Sequence, residues 1–264
     1  CPDRLAHAAA TFEAHGLDHL GNGRSVHLIY PEPASETAWE LGLPSPTLLL
    51  AHGALLVAEH PSITSSFLSS LELFDPDGAM VGLMKTDAGW YLRGLKLRKG
   101  RRLAQQEILL TEESLQVVRD VIELTTPLRN WLRERGSKLW RRLFLAIPSL
   151  GASPKAWSPD KQAFRSKSWL AQRFNEFGAC DESEAGRLVA RFTLRALRAS
   201  AGILVYLRTG SVEKMAKALG HTEWRPTLLD RYLPRMIQEF FNERWIRLFQ
   251  TGIVCEAMRD SVHL

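Results

Sequence analysis

Apolar positions recur along this chain with two different periods, and the changes between them mark its elements. Leu48–Glu59 and Thr64–Leu71 are dense in leucine, alanine and phenylalanine and read as two buried helices, with Pro61 between them. From Phe74 the apolar runs shorten into strand-like stretches at Met80–Met84, Gly89–Leu97 and Ala104–Leu110. Turn residues at Asp75–Gly78 and Lys99–Gly100 separate elements here, so a three-stranded antiparallel sheet is expected. The helical period returns at Thr111, which reads as an N-cap with Glu112 and Glu113 in the first turn and Leu115, Val118 and Ile122 on one face. A separate helix is expected to start at Thr126-Pro127 and stop at Gly136. Trp140–Ile147 reads as a buried strand or short connector, Ser149–Pro159 as a loop, and Lys161–Phe177 as a basic helix. Arg235–Leu248 is a last amphipathic helix carrying Met236, Ile237, Phe240, Phe241, Trp245 and Leu248. The expected fold class is mainly α with a small three-stranded antiparallel β-sheet (α+β).

Residues 1–46 carry the weakest pattern and read as an N-terminal extension. A helix over Arg4–His15, a turn at Gly21–Gly23 and a strand-like Ser25–Tyr30 are expected there. His15 and His19 have the spacing of a zinc pair, but Gly16 interrupts the helix that would align them, so both read as surface residues. Residues 47–264 form the main domain with its C-terminal helix.

Composition adds three points. The chain has 264 residues, 45% of them hydrophobic, which is enough for a packed core. A net charge of +5 favours an anionic partner. Cys1, Cys180 and Cys255 are too scattered for a disulfide framework, which points to a reducing, cytoplasmic setting. The longest apolar run, Thr47–Ala58, contains His52 and is too short to span a bilayer, so no membrane partner is expected. A chain opening on Cys1 reads as a piece of a longer protein, without a signal-peptide pattern at its start.

The chemistry concentrates between Thr193 and Tyr232. Thr193 caps a helix whose apolar positions Leu197, Ala201, Leu204 and Leu207 are expected on one face, and Gly210 ends it. Ser211 caps a second helix, Val212–Leu219, stopped by Gly220. Arg195 and Arg198 are three apart and emerge on one side, where they can converge on one anion. Gly202 lies on that side too, leaving room for a polyanion. His221 follows Gly220, and Tyr232 comes after a segment broken by Pro226. Guanidinium, imidazole and phenol in one helical hairpin point to phosphoryl transfer, in which a phenol attacks a phosphodiester while donors stabilise the equatorial charge.

The run Arg195-Ala-Leu-Arg198, Leu219-Gly220-His221, Tyr232 resembles the catalytic domain of the tyrosine recombinases, the phage integrase family, over roughly residues 47–250. The interval from Arg198 to His221 is the one that family uses. Arg195 stands where the family has histidine, and Tyr232 lies about two residues later than is usual. The resemblance implies a site-specific DNA recombinase or integrase that cleaves and rejoins DNA through a 3′-phosphotyrosyl link. It implies Tyr232 as nucleophile, Arg198 and Arg195 on the non-bridging oxygens, His221 in support, and a lysine of the basic hairpin as general acid. Lys96 is the first choice for that lysine and Lys99 the reserve, because an ammonium gives up its proton where a guanidinium does not. No metal, nucleotide or other cofactor is required. The partners implied are double-stranded DNA and further copies of the chain assembled on it, with the C-terminal helix as a contact.

Lys99, Arg101 and Arg102 in the hairpin, and Arg165 and Lys167 in the basic helix, are candidate DNA-backbone contacts; solvated charged faces are the bland alternative. The family's first catalytic arginine has no counterpart, since Glu59–Leu68 contains no arginine. A non-catalytic helix-turn-helix DNA-binding protein, with Val212–Leu219 as recognition helix, or a degenerate recombinase therefore stays open as the alternative.

Overall fold

A computed structural model describes residues 41–95, 105–148, 152–159, 182–221 and 235–259, together with residues 6, 9, 10, 12–14, 16, 17, 176 and 232. The chain divides into two compact units, Cys1–Arg198 and Ala199–Leu264. It is mostly helical with a small three-stranded antiparallel sheet, as the periodicities lead one to expect.

The first unit opens with α1, Pro46–Glu59. Ser45 caps it by accepting from the Leu48 N–H, and Pro46 occupies the first turn, where its missing N–H costs nothing. α2, Ser65–Ser70, is capped in the same way by Thr64. Three strands follow: β1 Leu83–Thr86, β2 Gly89–Leu95 and β3 Gln105–Leu109. They pair in the order β1-β2-β3, with Leu83 opposite Leu92 and Leu92 opposite Ile108, so one face carries leucine and isoleucine into the core. That face packs on α2. A Cβ added at Gly94 would strike the Phe67 ring and the Leu71 side chain, so glycine there allows strand and helix to approach.

α3, Glu112–Glu134, differs from expectation: one helix runs through Thr126-Pro127 where two were expected. Thr111 and Ser114 form a capping box at its start. Pro127 is exposed, so the Glu123 carbonyl that loses its helical N–H partner faces solvent. Buried residues stand on both sides of the proline: Leu115, Val118 and Val121 before it join the main apolar cluster, and Leu128 and Leu132 after it join a second cluster with Leu43, Leu145 and Ile147. Arg129 adds a polar tie. Its guanidinium donates to the carbonyls of Trp140, Arg142 and Leu143 and to the Thr125 hydroxyl. Burial lowers its pKa to about 10.

Beyond a 3₁₀ turn at Lys138–Arg141, β4 Leu145–Ala146 pairs antiparallel with β5 Lys155–Ala156. Ser149–Pro159 was expected to be only a loop, yet it contributes this strand and Trp157, which is 1% exposed. The indole stacks on Phe144 and donates to the Pro46 carbonyl, so an apolar anchor within a Pro/Ser-rich stretch belongs to the core. The expected N-terminal helix has helical residues among those described, with Gly16 at φ 59 ending it. The expected turn at Gly21–Gly23, strand at Ser25–Tyr30 and most of the basic helix at Lys161–Phe177 lie outside the described residues.

α4, Glu182–Arg191, leads into α5, Leu194–Thr209, within which the unit boundary falls. In the second unit α5 continues from Ala199 and is followed by α6, Val212–Ala218, and α7, Arg235–Met258. A small cluster of Tyr206, Met215 and Leu219 is its core, with Ile203, Val212, Tyr232, Ile237 and Phe241 packed against it. The expected apolar stripe on α5 is corrected here, because Leu204 and Leu207 are exposed while Gly202 and Tyr206 are buried. Gly202 is the cause. A Cβ there would lie 2.9–3.0 Å from three atoms of the Leu219 side chain, so the missing side chain is a slot for Leu219 rather than an opening for a polyanion. Seating α6 over Gly202 and Tyr206 turns Leu204 and Leu207 outward. Among the described residues no helix is long and apolar enough to cross a membrane.

Candidate functional site

Two of the expected site residues, His221 and Tyr232, meet in the second unit, and Arg198 bonds a turn in the first. In the second unit the α6 terminus builds a corner. Ser211 caps α6 by accepting from the Lys214 N–H, Gly210 at φ 61 having released the chain from α5. At the far end Gly220 adopts φ 71, its N–H reaching the Lys217 carbonyl and the His221 N–H reaching the Ala216 carbonyl. This pair of bonds is a Schellman closure. It fixes the His221 backbone without using its side chain. The imidazole Nε2 lies 3.4 Å from the Tyr232 hydroxyl, with the two rings edge to face at 5.8 Å. Tyr232 is half-buried and its ring rests against the Tyr206–Met215–Leu219 cluster, so the phenol is held by packing while its oxygen meets the imidazole.

The first unit holds Arg198 and the turn around Pro61. His60 caps the C-terminus of α1 through its N–H to the Leu56 carbonyl, and the Ile63 N–H closes back on the His60 carbonyl, with Pro61 as the second residue of the turn. The next two carbonyls are bonded from elsewhere. Arg198 Nε donates to Pro61 O at 2.6 Å, and Gln106 Nε2 donates to Ser62 O at 3.2 Å. His60 Nε2 meets the Ser114 hydroxyl at 2.8 Å. Burial holds the His60 pKa below the ordinary 6.5, with Glu59 pulling weakly the other way. The Glu59–Leu68 segment, which holds no arginine of its own, therefore receives Arg198 at its Pro61 carbonyl.

Arg195, expected to converge with Arg198, is exposed and makes no hydrogen bond or ion pair among the described residues. The two share a helical side, but only Arg198 reaches the Pro61 turn. Lys96, Lys99, Arg101, Arg102, Arg165 and Lys167 lie outside the described residues. Tyr206, read as a packing residue, is 8% exposed in the second unit's core.

Gln106 and His60 were not singled out from the sequence. A signal for Gln106 was present: it shares the phase of Ile108 on β3 and of Leu110 just beyond it, a polar residue at a core-facing position. No protein-family model, no curated protein and no solved structure matches this chain.

Proposed function

We propose that this chain cleaves and rejoins double-stranded DNA by the tyrosine-recombinase reaction and folds as that family's catalytic domain. The observation that carries the reading is the His221–Tyr232 pair at 3.4 Å, standing at the end of the ordered run Arg195, Arg198, Leu219-Gly220-His221. A phosphate held against the imidazole lies within reach of the phenol oxygen. Tyr232 Oη attacks phosphorus, the bond to the 5′ oxygen breaks, and the product is a 3′-phosphotyrosyl link with a free 5′ hydroxyl. Arg198 and Arg195 stabilise the non-bridging oxygens, His221 supports them, and Lys96 supplies the proton to the leaving oxygen. The reverse attack by a 5′ hydroxyl reseals a strand, so no cofactor enters the balance. Copies assemble on DNA with α7 as a contact, Lys99, Arg101, Arg102, Arg165 and Lys167 bind its backbone, and the reaction takes place in the cytoplasm.

The test is a pool of nicked duplexes of random sequence. Wild-type protein is expected to trap a denaturant-resistant covalent adduct that Tyr232→Phe abolishes; a wild type that yields no adduct overturns the reading. The absence of arginine from Glu59–Leu68 favours a second reading, DNA binding without cleavage by the α5–α6 hairpin. DNA retention unchanged in Tyr232→Phe, with no adduct from wild type, is its signature. Met215, Ala216 and Leu219 are buried, which leaves Glu213, Lys214 and Lys217 as the exposed face such a helix offers.

A further inference from the structure

Gln106 is out of place by the rules of strand patterning. Ile108 and Leu110, in the same phase along the chain, are 6% and 8% exposed, and Gly94 and Leu92 across the sheet face the same core. An apolar residue would satisfy that position. Gln106 instead turns its amide N–H to the Ser62 carbonyl and leaves its own Oε1 buried without a partner among the described residues. A buried acceptor left unmade is destabilising, so the side chain is a poor choice for stability alone. Its effect falls on the turn. His60 O, Pro61 O and Ser62 O are three successive carbonyls, bonded respectively by Ile63 N–H, Arg198 Nε and Gln106 Nε2. Pro61 restricts the backbone between them, and the His60–Ser114 contact anchors the turn to the start of α3. The turn is held on three sides, and Arg198 is bonded to its middle carbonyl.

We propose that Gln106 is a positioning residue for Arg198: it fixes the Ser62–Ile63 peptide, which follows directly on the Pro61–Ser62 peptide, and the Pro61 carbonyl in turn sets the plane of the guanidinium that receives the phosphate. The phosphate-binding role of Arg198 rests on the function proposed above; the clamp on its Nε does not. A guanidinium tied through Nε cannot swing about its stem, so its fork is presented in one orientation. A residue in the sheet thus governs the aim of a cation on α5 without touching DNA.

The experiment uses the full chain with arginine labelled with ¹⁵N at Nε, the Arg198 signal being assigned by its loss in Arg198→Lys. Gln106→Leu keeps the volume and removes the donor. Its Arg198 Hε is expected to exchange with solvent about tenfold faster than in wild type, the size of one lost hydrogen bond. The melting midpoint is expected to stay close to wild type, and Gln106→Met serves as a second apolar variant if Gln106→Leu folds poorly. On the nicked-duplex pool the variant is expected to form adduct about tenfold more slowly with DNA affinity unchanged. An Arg198 Hε as protected as in wild type overturns the clamp, whatever the protein does to DNA. A clamp that loosens as expected, in a protein whose wild type forms no adduct, overturns the recombinase reading and reduces Gln106 to a brace.

Discussion

α3 and α7 are nearly the same length, 23 and 24 residues, and both are rich in apolar side chains, yet they do different things with them. α3 buries Leu115, Val118, Val121, Leu128 and Leu132 along one stripe and, apart from the buried Arg129, turns its charged side chains outward. Among its described side chains α7 sets Ile237 and Phe241 against its unit's core and leaves Phe240, Trp245, Ile246, Leu248, Phe249, Ile253 and Val254 exposed. The difference shows that apolar periodicity predicts a helix without predicting its partner. α3 owes its place to tertiary packing and to a capping box. α7 past Phe241 is helix with its side chains in water, apart from local i,i+3 and i,i+4 pairs such as Arg247–Glu243 and Arg259–Glu256.

That contrast can be broken most directly in α3. Leu128→Ala, at a side chain 1% exposed, is expected to cost about 2–5 kcal/mol in denaturant unfolding. A smaller loss would mean that the stripe is looser than its burial implies. Gly202→Ala is expected to cost about 1–3 kcal/mol, because its Cβ would lie 2.9–3.0 Å from three atoms of the fully buried Leu219 side chain, which must shift to admit it. Calorimetry of the variant measures it, and an unchanged or raised melting temperature would show that α6 is free to shift. His60 supplies a pH dependence. Its folded pKa lies below the ordinary 6.5, so between the two values the unfolded chain binds the extra proton and stability rises with pH. The contribution is present above 6.5 and lost as pH falls through the folded value. Unfolding midpoints taken between about pH 8 and about pH 5 should show that fall in wild type and a weaker one in His60→Gln. The smallest effects belong to α7. Trp245→Ala and Ile253→Ala, at 57% and 67% exposure, are each expected to change stability by no more than about 0.5 kcal/mol. A large loss from either would mean that the helix is covered in solution.

What could be read from the sequence was what is decided locally. The caps Thr111 and Ser211 and the stops Gly210 and Gly220 depend on residues three or four positions away, and each stands where it was expected. The order of the three strands was legible for the same reason, since short strands joined by turns pair with their neighbours. What failed depends on distant partners. Which stripe of α5 is buried is decided by Leu219 arriving at Gly202, and the continuity of α3 through Pro127 is decided by a core on both sides of the proline. Trp157 was hidden in a loop composition because its partner Pro46 is remote along the chain and Phe144 meets it only through the β4–β5 pairing. For the site, the motif order put His221 and Tyr232 under suspicion together, and they are in contact. The sequence could not have shown Arg198 parting from Arg195 to bond Pro61, because that bond joins residues 137 positions apart.

The closure at the end of α6 has one more implication. Because the main-chain N–H groups of Gly220 and His221 do all the capping, the chain geometry at position 221 is indifferent to what hangs from it. An indole, an amide or a methyl group grafted there would inherit the same vantage on the Tyr232 oxygen, so chemistry at this corner can be exchanged like a tool in a fixed holder.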